Sequence, residues 1–98
     1  MSAGRHFEWD PKKNQANFSK HGIRFEEACL IFDGPVLTRI DDRFAYHEVR
    51  KISMGSIEGL IVVIVIHTER NGKTRLISAR MASQKERGIY HEHFEKTS

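Results

Sequence analysis

At 98 residues, with 39% apolar and 30% charged side chains, the chain has the size and balance of one globular domain, residues 1–98, and not of a disordered tail. Its single cysteine, Cys29, excludes an internal disulfide and suits a reducing compartment; the N-terminus shows no export signal and the longest aliphatic run, 60–66, is too short to cross a bilayer, so we expect a cytoplasmic protein with no membrane partner. The net charge of +3 is local: between Arg70 and Arg87 six cations face one acid, giving that stretch +5 and the remainder −2, a balance suited to a polyanion or an acidic partner.

The stretch HFEWD suits a short first strand with Phe7 and Trp9 on one face. Asp10-Pro11 then starts a helix, since the carboxylate caps free N–H groups and proline at the first position loses no hydrogen bond. Gly22 supplies the left-handed residue that ends it. A second helix is expected over 24–32, where Phe25, Ala28, Cys29 and Phe32 recur at helical spacing, and Asp33-Gly34-Pro35 stops it. A meander follows, with strands over 36–40 and 46–54 joined by a turn at 41–43. A loop over 55–59 leads to a central strand over 60–68. Asn71-Gly72 is a strong hairpin signal, and the chain returns as a strand over 74–80. Ser83 to Glu86 matches a capping box that opens a last helix running to about Phe94. The order predicts an α+β domain: a largely antiparallel sheet of four to five strands, two N-terminal helices and one C-terminal helix.

Alternation along the strands places Ile52, Met54, Leu60, Val62, Ile64, Ile66 and Ile77 on one face, expected to be the core against the helices. The Asn71-Gly72 turn sets Arg70 opposite Lys73 and His67 opposite Leu76. Continued unchanged, that register puts His67, Ser78 and Arg80 on the other face, with Val63 and Val65 between them and Lys51 alongside, an arrangement suited to an anion. On the first helix Lys13, Asn17, Lys20 and His21 share one face. A solvated helix face explains that spacing equally well, and surface imidazoles are the default for His91 and His93.

One cysteine and no paired-carboxylate or HxxxH box argue against structural zinc. No phosphate-binding glycine loop and no GxSxG elbow occur. Chemistry here is therefore expected to need neither metal nor cofactor.

The segments FEWDPKKNQANFSKHGIRFEEACLIFDGP, HEVRKISMG, HTERNGKTRLISAR and KERGIYHE together resemble the BrnT family of bacterial toxins, over about 7–92. That resemblance implies a RelE-like fold and a ribonuclease that blocks translation by cutting RNA. It also implies a BrnA-type antitoxin that binds the toxin and carries the contact to operator DNA. The matching positions are Lys13, Asn17, Lys20, His21, Glu48, Arg50, Arg70, Arg80, Glu86, Arg87 and Tyr90. Two positions depart from the family pattern: Arg24 stands where many relatives carry Ser or Thr, and His67 where Tyr or Thr is expected.

Metal-free RNA cleavage uses the 2′-hydroxyl as nucleophile, helped by a base, by cations on the phosphorane and by an acid on the leaving oxygen. Histidine suits the proton roles and arginine the phosphate. The expected assignment is Arg80 and Arg50 to transition-state charge, Lys20 and Arg70 to positioning, and His21 or His67 to proton transfer, with Tyr90 or Lys13 able to replace one of these. An ion pair with Glu48 is the competing role for Arg50. Lys13, Asn17, Lys51, Arg70, Arg75 and Arg87 are the expected RNA contacts. The alternative is a non-enzymatic basic module binding nucleic acid or an acidic protein partner. A DNA-binding regulator acting alone is disfavoured because no helix-turn-helix is evident.

Overall fold

The computed structural model describes residues 6–43 and 47–95. In chain order it contains β1 (Phe7–Glu8), α1 (Pro11–His21), α2 (Phe25–Ala28) running into a 3₁₀ turn (Cys29–Asp33), β2 (Val36–Asp41), β3 (Arg50–Ile57), β4 (Ile61–Arg70), β5 (Lys73–Met81) and α3 (Gln84–Glu95). The strands form one sheet in the order β1-β5-β4-β3-β2. Every pairing is antiparallel except β1 with β5.

The local signals act where they were read. The Asp10 carboxylate accepts the Lys12 N–H at 2.9 Å, and Gly22 closes α1 at φ 74° with its N–H on the Phe18 carbonyl. Asn71 and Gly72 both have positive φ, as a two-residue hairpin of this twist requires. The second helix is shorter than predicted: after one turn it tightens into the 3₁₀ form, which brings Ile31 into the core while Cys29 and Phe32 stay half-buried. The turn seats against β3 at Gly55, where a Cβ would lie 2.8 Å from that of Ile31. β3 runs through the predicted 55–59 loop as far as Ile57, and the expected strand start at Tyr46 lies outside the described residues.

The assignment of faces is corrected. Ile23, Phe25, Ala28 and Ile31 pack on Val63, Val65, Leu76 and Ala79, so α1 and α2 cover the face that was expected to be half polar. The face of Ile52, Met54, Val62 and Ile64 is a second, smaller core against Tyr90 and Phe94 of α3. Leu60, expected in the core, is 81% exposed at the β3–β4 turn.

A bulge explains the rest of the difference. Arg70 pairs with Lys73 and His67 with Leu76 as the turn dictates, but Ile66 then pairs with Ser78 and Ile64 with Arg80. Ile77 is the extra residue on β5. One inserted residue moves every later side chain to the other face. Ser78 and Arg80 therefore stand beside Ile66 and Ile64, with the sheet between them and His67.

Candidate functional site

On the α3 side the registers build rows across the sheet. One row reads Leu37, Met54, Ile64, Arg80; the next reads Arg39, Ile52, Ile66, Ser78; the third reads Asp41, Arg50, Thr68, Arg75. The first two rows floor a cleft of about 450 Å³, closed further by Arg43, Glu86 and Ile89. The floor is aliphatic and the rim is guanidinium. Arg80 and Arg39 sit on strands separated by two others, roughly 14 Å apart across the sheet at the usual strand spacing.

Each described acid at this rim is matched to an arginine. Arg80 grips Glu86 in a two-point fork, Nη1 to Oε1 at 2.8 Å and Nη2 to Oε2 at 2.9 Å. Glu86 also accepts the Ser83 N–H at 2.8 Å, while its own N–H goes to Ser83 Oγ, so the capping box of α3 aims this carboxylate at Arg80. The Arg80 hydrogen bond holds the Glu86 carboxyl down to about 2, against a smaller opposing effect of burial, and Arg80 is pushed up in return. Just past β2, Arg43 binds Asp41, the last residue of that strand, through Nε at 2.7 Å and Nη2 at 3.0 Å. The Asp41 side chain is wholly buried, so the Asp41-Asp42-Arg43 segment, expected only to turn, also presents a guanidinium to the cleft.

The structure sorts the sequence-derived candidates into two groups. Arg50, Arg75, Arg80, Tyr90 and Arg87 belong to the α3 side or to α3 itself. Arg50 lies one row beyond the cleft, 3.7 Å from Glu48, which is also 3.6 Å from Arg70. That is the competing ion pair, although neither partner is buried. Arg75 ties β5 to β1 through Glu8 at 3.1 Å. Arg87 reaches the Ala82 carbonyl from an exposed position. Tyr90 is 5% exposed and donates its hydroxyl to the Pro35 carbonyl at 3.2 Å, anchoring α3 across the sheet.

The other group lies on the α1–α2 side. Lys13 and Lys20 are exposed on α1, and His21 is half-buried in its last turn. Asn17 has a structural task that its helical spacing did not reveal: Nδ2 donates to the carbonyls of Ile23 and Ala79, and Oδ1 accepts the Ala79 N–H. Among the described residues no strand pairs the outer edge of β5 beyond Arg75, and this amide completes it as a strand would. Lys51 is opposite His67 on the same face. His67 is 3% exposed, with Nε2 2.7 Å from Ser53 Oγ and its ring nearly perpendicular to that of Phe32, the centroids 5.1 Å apart. It does not share a pocket with Arg80.

Sequence reasoning missed Arg39 and Arg43 as site residues and took Glu86 mainly as a helix cap. For Arg39 the signal was available, because alternation through Leu37, Arg39 and Asp41 sets it on one face; the orientation of that face was not. No group of three or more potential metal-ligating side chains occurs among the described residues, and no helix among them is long and apolar enough to cross a membrane.

Comparison with known proteins agrees with this architecture. No curated protein matches the chain. Among solved structures it is similar to the Brucella abortus ribonuclease toxin, BrnT, with 28% identity and a TM-score of 0.61 over 82% of this chain and 99% of that one. The family model described as "Ribonuclease toxin, BrnT, of type II toxin-antitoxin system" matches residues 9–86. The chain belongs to the BrnT family of type II toxin–antitoxin ribonuclease toxins.

Proposed function

We propose that this chain is a metal-independent, RelE-like endoribonuclease whose substrate 2′-hydroxyl attacks the adjacent phosphodiester, which cuts RNA and inhibits translation. A BrnA-type antitoxin neutralises it and makes the contact to operator DNA on behalf of the pair. The observation that carries this reading is the aliphatic-floored cleft ringed by Arg39, Arg43 and Arg80. A nucleobase can lie on such a floor while planar guanidinium forks take the phosphates.

Arg80 is assigned to the charge that builds on the phosphorane, because its fork already holds a two-point oxyanion in Glu86. Arg39 and Arg43 hold the backbone on the far side of the cleft. Arg50 and Arg75, in the next row, and Arg87, on α3, extend the cationic track. Arg70 borders it at the hairpin end of the sheet, and Lys51 lies with His67 on the opposite face. Lys13, Lys20 and His21 form a separate strip on α1 that contacts RNA or the antitoxin outside the cleft. His67 and Asn17 hold the fold from which these groups project, and Tyr90 positions α3.

Purified toxin incubated with RNA in EDTA tests the assignment. Wild type is expected to cleave and Arg80→Ala to lose about 10²–10³-fold in rate. Its thermal stability should fall by no more than about 1 kcal/mol, because the Arg80 pair is partly exposed. RNA retention without any cleavage would instead make the protein a binding module. Toxicity on expression, relieved by the product of the adjacent gene, tests the antitoxin half of the proposal.

A further inference from the structure

We propose that Glu86 is the general base of the cleavage, freed for that role when a substrate phosphate takes its place on Arg80. The inference rests on the assignment of the Arg80 cleft to RNA and adds to it the residue that takes the proton.

Among the described residues lining the cleft, Glu86 is the one carboxylate, and no imidazole or phenol joins it. The guanidinium of Arg80 presents a two-point fork to the Glu86 oxygens. A phosphodiester offers the same two-oxygen face, so it competes for that fork directly. When the phosphate takes the fork, Glu86 keeps its other anchor, the Ser83 N–H on Oε1 at 2.8 Å, and stays aimed into the cleft beside the displaced guanidinium. It is then next to the phosphate, where the neighbouring ribose hydroxyl must also lie.

The exchange changes the basicity of the carboxylate in the required direction. While Arg80 holds it, Glu86 is kept at about 2 and is a poor proton acceptor. Losing that hydrogen bond raises it back toward the ordinary carboxylate value of about 4.3, with burial acting upward and the retained Ser83 hydrogen bonds acting against it. The facing charges are Arg80 from β5, Arg39 from β2 and Arg43 from the bend after β2; the cap of α3 contributes only Ser83. In the resting protein the pair also keeps Arg80 from gripping stray anions at full strength.

The step balances as follows. Glu86 takes the proton of the 2′-hydroxyl, and the 2′-oxygen forms a bond to phosphorus. The bond from phosphorus to the 5′-oxygen breaks, and that oxygen takes a proton from solvent water. The products are a 2′,3′-cyclic phosphate and a 5′-hydroxyl, and the carboxyl returns its proton to solvent.

The test is single-turnover cleavage of an RNA cut by the wild-type protein, with binding measured on the same RNA carrying a 2′-deoxy residue at the cut. Glu86→Gln keeps an acceptor for both Ser83 and Arg80 but cannot take the proton. It is expected to slow cleavage by about 10²–10⁴-fold, while the deoxy RNA binds as tightly or more tightly. Glu86→Asp should recover part of the rate, and the acid limb of the wild-type pH–rate profile should flatten in Glu86→Gln. Glu86→Gln cleavage within threefold of wild type, or equal rates for Gln and Asp, would overturn the proposal. A wild-type protein that cuts no RNA, or an Arg80→Ala variant that cuts normally, would instead remove the cleft reading beneath it.

Discussion

Alternate residues of the same strands build the two faces of the sheet, and they use polar side chains in opposite ways. On the α1–α2 face, His67, Ser53 and Asn17 are buried, and their hydrogen bonds go to other parts of the fold. Ser53 Oγ also lies 2.8 Å from Thr38 Oγ1, so three strands are joined by one chain of side-chain contacts. On the α3 face, Arg80 and Glu86 meet in a cleft open to solvent, each partner part-exposed. A buried polar group with fixed partners supports structure; a half-exposed ion pair is available for chemistry.

The strongest way to break this comparison is at Asn17. Asn17→Asp keeps an acceptor for the Ala79 N–H but sets a carboxylate against the carbonyls of Ile23 and Ala79. We expect a loss of about 3–5 kcal/mol, seen as a large fall in the denaturant midpoint at neutral pH. A change under 1 kcal/mol would mean that the amide does not close the β5 edge.

His67 sharpens the comparison at a smaller scale. His67→Ala leaves a cavity beside Phe32 and removes the ring from Ser53, for an expected cost of about 2–3 kcal/mol. For a domain of this size that lowers Tm by about 10–20 °C. Well below the new Tm, the cleavage rate should stay within about threefold of wild type. A rate loss as large as that of Arg80→Ala, with Tm preserved, would place the imidazole in the chemistry and erase the distinction between the faces.

What could be read in the sequence was whatever is determined within a few residues. The Asp10 and Ser83 caps, the Gly22 stop and the Asn71-Gly72 hairpin each depend on local backbone geometry, and each was legible. The choice of buried face was not, because β4 is aliphatic on both sides and tertiary packing decides which helices cover which. The bulge at Ile77 was hidden for another reason. Leu76-Ile77-Ser78 carries no glycine or turn residue to mark an inserted position, so the hairpin register read correctly at His67 was extended one residue too far. That single slip set Arg80 beside the wrong partners and hid its contact with Glu86. The cationic character of the site was legible in the composition of residues 70–87; its pairing with β2 through Arg39 and Arg43 needed the sheet.

The smallest effect probes the exchangeable pair itself through pH. Glu86 titrates near 2 in the folded protein because Arg80 donates to it, well below an unfolded carboxylate at about 4.3. A group whose pKa is depressed by folding stabilises the fold above its unfolded value and loses that contribution as pH falls through the folded one. The pair should therefore help at pH 5 and above and have lost most of its effect near pH 2. Because Arg80 is partly exposed, the contribution should be only about 1 kcal/mol. Melting wild type and Glu86→Gln side by side isolates it, since every other carboxylate is common to both and cancels in the difference. The gap in Tm should be a few degrees at neutral pH and close between pH 5 and pH 2. A gap that stays constant with pH would mean that Arg80 does not hold the carboxylate ionised, and the exchange proposed for substrate binding would lose its driving contrast.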